Sequence, residues 1–482
     1  MSGRVRGAII LSWLSLWVWP TAAGGAQAPA LEERIRGVLN QPRLQQTEFS
    51  IHFCDLETGR TVFAHNADLP LRPASNMKLV TTAAACATLG REFEYQTVAG
   101  LLEGNLAILG GGDPLLGDPR RAGKEGYDID ELFRRILEQL RGRGLAAISG
   151  DLLLDDFLFD DVRFHPSWPT DQGNNWYTAQ VSALNFNDNC LDVTARAGEG
   201  SGKPGVLSLK PDTRYVSVEN LTETAASGRG GAWAVRKAGT NEITVRGSVR
   251  SESTFSVTVE RPSAFFGQVL AEYLARHEAP IKGKLVIRQL RDEGGRPPAR
   301  LDTLVTWKTP LAEVLSRANQ DSLNLAAECL FKTLGVQKGA SKGGGSWDSG
   351  RQAVTAFLGG LKVDADQYVI DDGSGLSRQN RLSAQCLTKV LCHMGKHPAG
   401  EMYRQSLATP EAGTLRRAKR FREPGYQGRL QAKTGYVNGA WALSGYAQRQ
   451  SGEWVAFSIL ANGTSGPSRT AVLDEILKAV ID

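Results

Sequence analysis

Residues 73–86 read Pro73-Ala74-Ser75-Asn76-Met77-Lys78-Leu79-Val80-Thr81-Thr82-Ala83-Ala84-Ala85-Cys86. Proline opens the stretch, and Ser75, Lys78, Leu79, Thr82 and Cys86 recur at helical spacing with small residues between them, which predicts a buried helix. Ser75 and Lys78 stand three positions apart and so share one helical face. A serine hydroxyl is a weak nucleophile until a neighbouring base takes its proton. A lysine serves as that base only when burial or a second cation lowers its proton affinity. Ser-x-x-Lys alone reads equally well as an N-cap followed by a solvated lysine, so the reading depends on what stands elsewhere in the chain.

Two further patterns follow in order. Ser322-Leu323-Asn324 (Ser-x-Asn) precedes a helix within a helical stretch over 310–334, and Lys433-Thr434-Gly435 lies in a β-like segment near the end. Together the three form a constellation used in acyl transfer to serine. Each residue has a physical task in it. Lys433 is the second cation that lowers Lys78. Ser322 relays a proton to a leaving amine, and Asn324 holds Lys78 and donates to a substrate carbonyl. Lys433 and Thr434 hold a free carboxylate, while Gly435 leaves room for a strand-like substrate along the edge. An oxyanion would sit between the backbone N–H groups of Ser75 and Tyr436, close to the positive end of the helix. No Ser-His-Asp triad is suggested, and no Gly-x-x-x-x-Gly-Lys-Ser/Thr loop supports nucleotide binding.

Outward from these motifs, residues 49–56, the turn Glu57-Thr58-Gly59 and residues 61–64 predict a β-hairpin. Strands are expected at 430–434, 441–448 and 454–460, and helices at 349–361, 384–394 and 468–481, with a Gly/Ser-rich loop at 338–349. The middle differs. Short alternating segments such as 152–154 and 242–249 are separated by turns such as Gly110-Gly111-Gly112-Asp113-Pro114, and helices interrupt at 129–140 and 263–276. We therefore expect an α+β architecture. Residues 29–92 and 302–482 would form one domain with an antiparallel sheet flanked by helices, and residues 93–301 a mainly β insertion of one or two accessory domains.

The 482 residues carry a formal net charge of +5, with 41% hydrophobic and 22% charged residues. That bias is too small to argue for nucleic acid as a partner. Arg416, Arg417, Lys419, Arg420 and Arg422 read as a solvated face or a rim for an anionic substrate. Arg4 and Arg6, the apolar run 8–19 and small residues to Ala28 give the layout of a secretory leader over 1–28. The alternative is an uncleaved anchor, with Trp13, Trp17 and Trp19 at an interface and weak membrane association. Export permits disulfides among the six cysteines, although Cys86 and Cys329 fall on apolar helix faces and read as buried thiols. His393 and His397, with Cys386 and Cys392 nearby, have a spacing that can bind zinc, but Gly395 and Pro398 end the helix there. We expect no metal and no cofactor.

With all three motifs in place, the sequence resembles the D-alanyl-D-alanine carboxypeptidase/endopeptidase family of low-molecular-mass class C penicillin-binding proteins, the S13 serine peptidases. The long gap between Lys78 and Ser322 carries the resemblance. So do Gly112-Asp113-Pro114, Ser182-Ala183-Leu184-Asn185, residues 319–328, Asp372-Gly373-Ser374-Gly375-Leu376-Ser377, Gly413-Thr414-Leu415 and residues 432–445, which together span about residues 45–463. The resemblance implies a penicilloyl-serine transferase (β-lactamase-like) fold with accessory domains inserted. It implies a periplasmic enzyme that removes terminal D-alanine from peptidoglycan stem peptides or cuts D-alanyl cross-links, and that β-lactams trap covalently. Carried onto this chain, Ser75 is the nucleophile, Lys78 the general base, Ser322 and Asn324 the second motif, and Lys433 and Thr434 the carboxylate site. Leu323 departs from the pattern, since many relatives have Asp there. Three other readings compete. A β-lactamase would need a positioned Glu with its water, and no convincing loop supplies one. A small-peptide esterase or D-peptidase shares the motifs, though the large middle block favours a polymeric substrate. A non-catalytic peptidoglycan-binding protein would not need the intact serine, both lysines and Asn324.

Overall fold

The computed structural model describes residues 1, 3, 31–228, 230–337, 344–463 and 469–482. Apart from positions 1 and 3, the expected leader at 1–28 lies outside the described residues, as do positions 338–343 of the Gly/Ser-rich loop. No helix among the described residues is long and apolar enough to cross a membrane.

Strands from both ends of the chain pair into one antiparallel sheet. Its order is Leu430–Val437, Ala440–Gln448, Trp454–Gly463, Thr47–Asp55 and Thr61–His65. The expected hairpin and all three expected late strands are present. Successive side chains of a strand point to opposite faces, so each inner strand feeds two cores. Ala442, Tyr446, Ala456 and Leu460 pack with Leu387, Val390 and Met394 of helix Ala384–Lys396. Trp441, Leu443, Phe457 and Ile459 pack on the other face with Ile35 of helix Leu31–Leu39 and with Val472, Ile476 and Val480 of helix Thr470–Ile481. Helix Met77–Leu89 is apolar or small on every side and is buried accordingly, packing against helix Asn324–Gln337.

The middle of the chain forms a separate set of sheets. A five-stranded sheet runs Leu285–Ile287, Leu152–Asp155, Asn105–Leu109, Glu94–Leu102 and Asp302–Pro310. Two three-stranded sheets accompany it, ordered Ser217–Thr224, Glu242–Val249, Gly231–Arg236 and Ser253–Thr258, Cys190–Arg196, Val206–Lys210. One core joins them to helices Glu131–Gly142 and Pro262–Arg276, with Phe133 stacked on Phe186 and edge-on to Phe266. Strand Asp302–Pro310 pairs with Glu94–Leu102, so the middle sheet runs past residue 301 and the chain enters and leaves it on neighbouring strands.

The helix expected over 310–334 is two helices, Leu311–Asn319 and Asn324–Gln337. Between them Ser322 takes the left-handed conformation (φ 64°), and Leu323 turns into the core at 3% exposure. Asp321 anchors the break through ion pairs to Arg317 (2.9 Å) and Arg417 (2.7 Å). All six cysteines are free thiols; Cys86 and Cys329 are buried, and the Cys54 and Cys392 sulfurs lie 3.4 Å apart.

Candidate active site

Ser75 sits on a single 3-10 turn, Ala74–Asn76, that runs into helix Met77–Leu89. The turn is held from three sides. The Asn76 N–H donates to Pro73 O (3.0 Å), and the Asn76 amide bonds Ser444 on the neighbouring strand (2.6 Å). The loop at 373–375 closes over it so tightly that a Cβ on Gly375 would fall 1.8 Å from Ala74 O. Gly375 also has φ +82°, so both space and backbone demand glycine there. The edge strand approaches as closely, since a Cβ on Gly435 would meet Pro73 O at 2.9 Å.

The three motifs converge on Ser75 Oγ. Lys78 Nζ donates to it at 3.1 Å, and Ser322 Oγ donates to it at 3.1 Å. Lys78 Nζ also donates to Asn324 Oδ1 (2.6 Å) and to the carbonyl of Ser374 (2.9 Å). Lys433 Nζ donates to Ser322 Oγ (2.9 Å) and to the carbonyl of Thr434 (2.9 Å), and Thr434 Oγ1 donates to Thr414 Oγ1 (2.9 Å). Both ammonium groups are fully buried, whereas Ser75, Ser322 and Thr434 are half-buried, so the hydroxyls face the surface and the lysines stand behind them. The left-handed backbone of Ser322 is what aims its hydroxyl at Ser75 from the gap between two helices. Gly435 and Tyr436 continue the strand, the Tyr436 ring being 65% exposed beside Trp441.

Electrostatics follow from this burial. Loss of solvent pushes the Lys78 ammonium down to about 8, against the opposing pull of Glu328 and Asp372. Lys433 is pushed well below the ordinary lysine value by burial first, then by the charges of Lys78 and Arg417. Glu328 is raised to about 7 by burial and by Asp372. At neutral pH the site therefore pairs a serine hydroxyl with an amine whose proton is easily shed.

Several contributors leave no chemical signature in the sequence. Ser374 and Tyr177 act through backbone carbonyls, the latter accepting from Asn324 Nδ2 at 2.7 Å. Glu328 and Asp372 are buried and brace the loop beside Lys78. Only the phrases at 319–328 and 372–377 pointed toward those segments. Of the basic cluster, Arg417 pairs with Asp321 and Arg420 with Asp474, while Arg416, Lys419 and Arg422 are exposed. The helix carrying His393 does end at Lys396; His393 packs on Phe357 and His397, and Cys386 is buried in the core. Among the described residues no three His, Cys, Asp or Glu side chains are grouped to hold a metal ion. A cleft of about 1080 Å³ lined by Asp156, Phe159, Arg163, Ser263 and Arg291 contains none of the motif residues.

Comparison with known proteins gives the family. The model of the D-Ala-D-Ala carboxypeptidase 3 (S13) family matches residues 31–480. A D-alanyl-D-alanine carboxypeptidase of an Actinomadura species is 32% identical over 94% of this chain and 85% of its own. The D-alanyl-D-alanine carboxypeptidase DacB of Haemophilus influenzae is 23% identical over 85% of this chain and 84% of its own. The crystal structure of penicillin binding protein 4 (dacB) from Haemophilus influenzae superposes with a TM-score of 0.75 at 21% identity, covering 92% of this chain and 97% of that one. The same protein in complex with a β-lactam gives a TM-score of 0.70 at 21% identity, covering 92% and 98%. On a family match across almost the whole chain and a relative alike over most of both lengths, this chain belongs to the D-Ala-D-Ala carboxypeptidase 3 (S13) family of serine carboxypeptidases.

Proposed function

We propose that this protein removes the terminal D-alanine from peptidoglycan stem peptides through an acyl-enzyme on Ser75. The observation that carries the reading is the buried Lys78 amine, lowered to about 8, bonded at 3.1 Å to the Ser75 hydroxyl. In its free-base form Lys78 takes the Ser75 proton as Oγ attacks the D-alanyl carbonyl. The oxyanion is received by the N–H groups of Ser75 and Tyr436, each such donor being worth about 3 kcal/mol. Ser322, between Ser75 and Lys433, passes a proton to the departing D-alanine nitrogen. Lys433 and Thr434 hold the free carboxylate of the leaving residue, and Asn324 keeps Lys78 in place and donates its second N–H to a substrate carbonyl. Water then releases the acyl group. A β-lactam acylates the same hydroxyl, and its tethered leaving group stays in the site and slows release.

The domain division belongs to the same reading. Residues 29–92 and 302–482 form the transpeptidase-like domain and residues 93–301 the insertion, with strand Asp302–Pro310, paired into the middle sheet, connecting the two. A peptidoglycan substrate requires export, so residues 1–28 act as a leader that delivers the enzyme to the periplasm. The reading is tested by incubating a stem peptide ending in D-alanyl-D-alanine with wild type and Ser75→Ala. Wild type releases D-alanine and Ser75→Ala releases none. Release by Ser75→Ala, or hydrolysis of the corresponding L-alanyl peptide at the same rate, would overturn it.

A further inference from the structure

The middle block reaches the lysine site at two points. Tyr177, on the short turn Trp176–Thr178, offers its carbonyl to Asn324 Nδ2 (2.7 Å), the residue whose Oδ1 accepts from Lys78. Trp168 donates its indole N–H to Asp372 Oδ2 at 2.8 Å. Asp372 is fully buried, and its remaining partners are all N–H groups of one loop. These are the backbones of Gly375 (2.7 Å) and Ser377 (2.7 Å) and the side chain of Asn380 (2.7 Å). That loop presents the Ser374 carbonyl to Lys78 Nζ. On its other side, Glu328 accepts from the backbone of Ser374 (2.8 Å) and Gly373 (3.1 Å) and from Trp347 Nε1 (2.8 Å). Trp168 is wedged edge-on against Trp347 (5.8 Å) and Phe164 (5.4 Å).

A buried carboxylate whose acceptor lone pairs are all satisfied is fixed in place, and loss of one partner N–H leaves an uncompensated lone pair that pulls its surroundings toward a new arrangement. We propose that residues 93–301 are part of the apparatus that positions the catalytic lysine, with Trp168 as a positioning residue acting through Asp372 on the Ser374 carbonyl. The role rests on the acyl-enzyme reading of Ser75 and Lys78. Two carboxylates act on Lys78, Glu328 from helix Asn324–Gln337 and Asp372 from the loop. Lys433 stands opposite on the edge strand and is itself acted on by Lys78, Arg417 and Asp321. Loss of the indole N–H leaves the Asp372 charge less neutralised. That favours protonated Lys78 and moves the acid limb of the acylation profile to higher pH.

The test follows benzylpenicillin acylation against concentration and pH for wild type, Trp168→Phe, Phe164→Leu and Asp372→Asn. Trp168→Phe keeps an aromatic ring and loses only the donor. It should lower the limiting acylation rate about tenfold, leave the half-saturating concentration unchanged and raise the acid limb. Asp372→Asn should lower the rate as well, but it removes the negative charge and so moves the limb to lower pH. Phe164→Leu disturbs the same aromatic cluster without touching Asp372 and should leave rate and limb as in wild type. A wild-type profile in both Trp168→Phe and Asp372→Asn would overturn the inference. So would a Phe164→Leu variant that reproduces the Trp168→Phe shift, since packing alone would then suffice. An unacylated wild type would instead defeat the reading of Ser75 itself.

Discussion

Lys78 is surrounded by three oxygen acceptors and no water-facing surface, an unusual place for an ammonium group. A lone buried charge is costly, and the chain meets that cost by lowering the proton affinity of the amine. The sign of the pH dependence follows. Only the unprotonated amine accepts the Ser75 proton, so acylation should rise as pH increases through about 8 and level off above it. Acylation rates by a β-lactam measured across that range check this; a profile still rising near the ordinary lysine value would contradict it. At this scale the sequence was informative about which side chains the structure brings together around Ser75. Ser75, Lys78, Ser322, Asn324, Lys433 and Thr434 were all legible as motif residues. Ser374 and Tyr177 were not, because a backbone carbonyl is present at every position and no residue type marks the one that is used.

Among the elements, alternation marked the hairpin, and short β-like apolar runs marked the three late strands, since each inner strand of the sheet presents apolar side chains to both faces. The break at 320–323 escaped the same kind of reading. Leu311, Val314, Leu315 and Ala318 continue in phase into Leu325, Ala326 and Leu330, so the apolar stripe gives no sign of interruption. The left-handed residue is a serine, where glycine or asparagine would have been the cue. The break also explains Leu323. Its side chain is buried in the same core as Leu325, away from the hydroxyl of Ser322. Leu323→Asp would put a carboxylate among the apolar side chains of that core, and we expect a loss of about 3 kcal/mol in stability. Urea unfolding of wild type and variant measures this. An unchanged midpoint would mean that the side chain faces solvent, as it would if this turn served side-chain recognition.

Across the whole molecule, the ends of the chain close one sheet and the middle forms three others, and the middle reaches the place where the three motifs converge through Tyr177 and Trp168. That arrangement depends on pairings between residues hundreds of positions apart, such as Phe53 with Phe457, which local patterns do not report. The inference that terminal strands belong together came from their order around a dissimilar middle. Where the middle ends was less legible, because strand Asp302–Pro310 alternates like its neighbours and only its pairing with Glu94–Leu102 assigns it. In the mechanism proposed above, one hydroxyl, reached from both ends of the chain and braced from the middle, carries the reaction. Intact-mass spectrometry after incubation with benzylpenicillin tests that claim most directly. The account predicts a persistent adduct of one penicilloyl group on wild type and none on Ser75→Ala. An adduct on Ser75→Ala would contradict it, as would a wild type that remains unmodified, whether the penicillin is left intact or consumed.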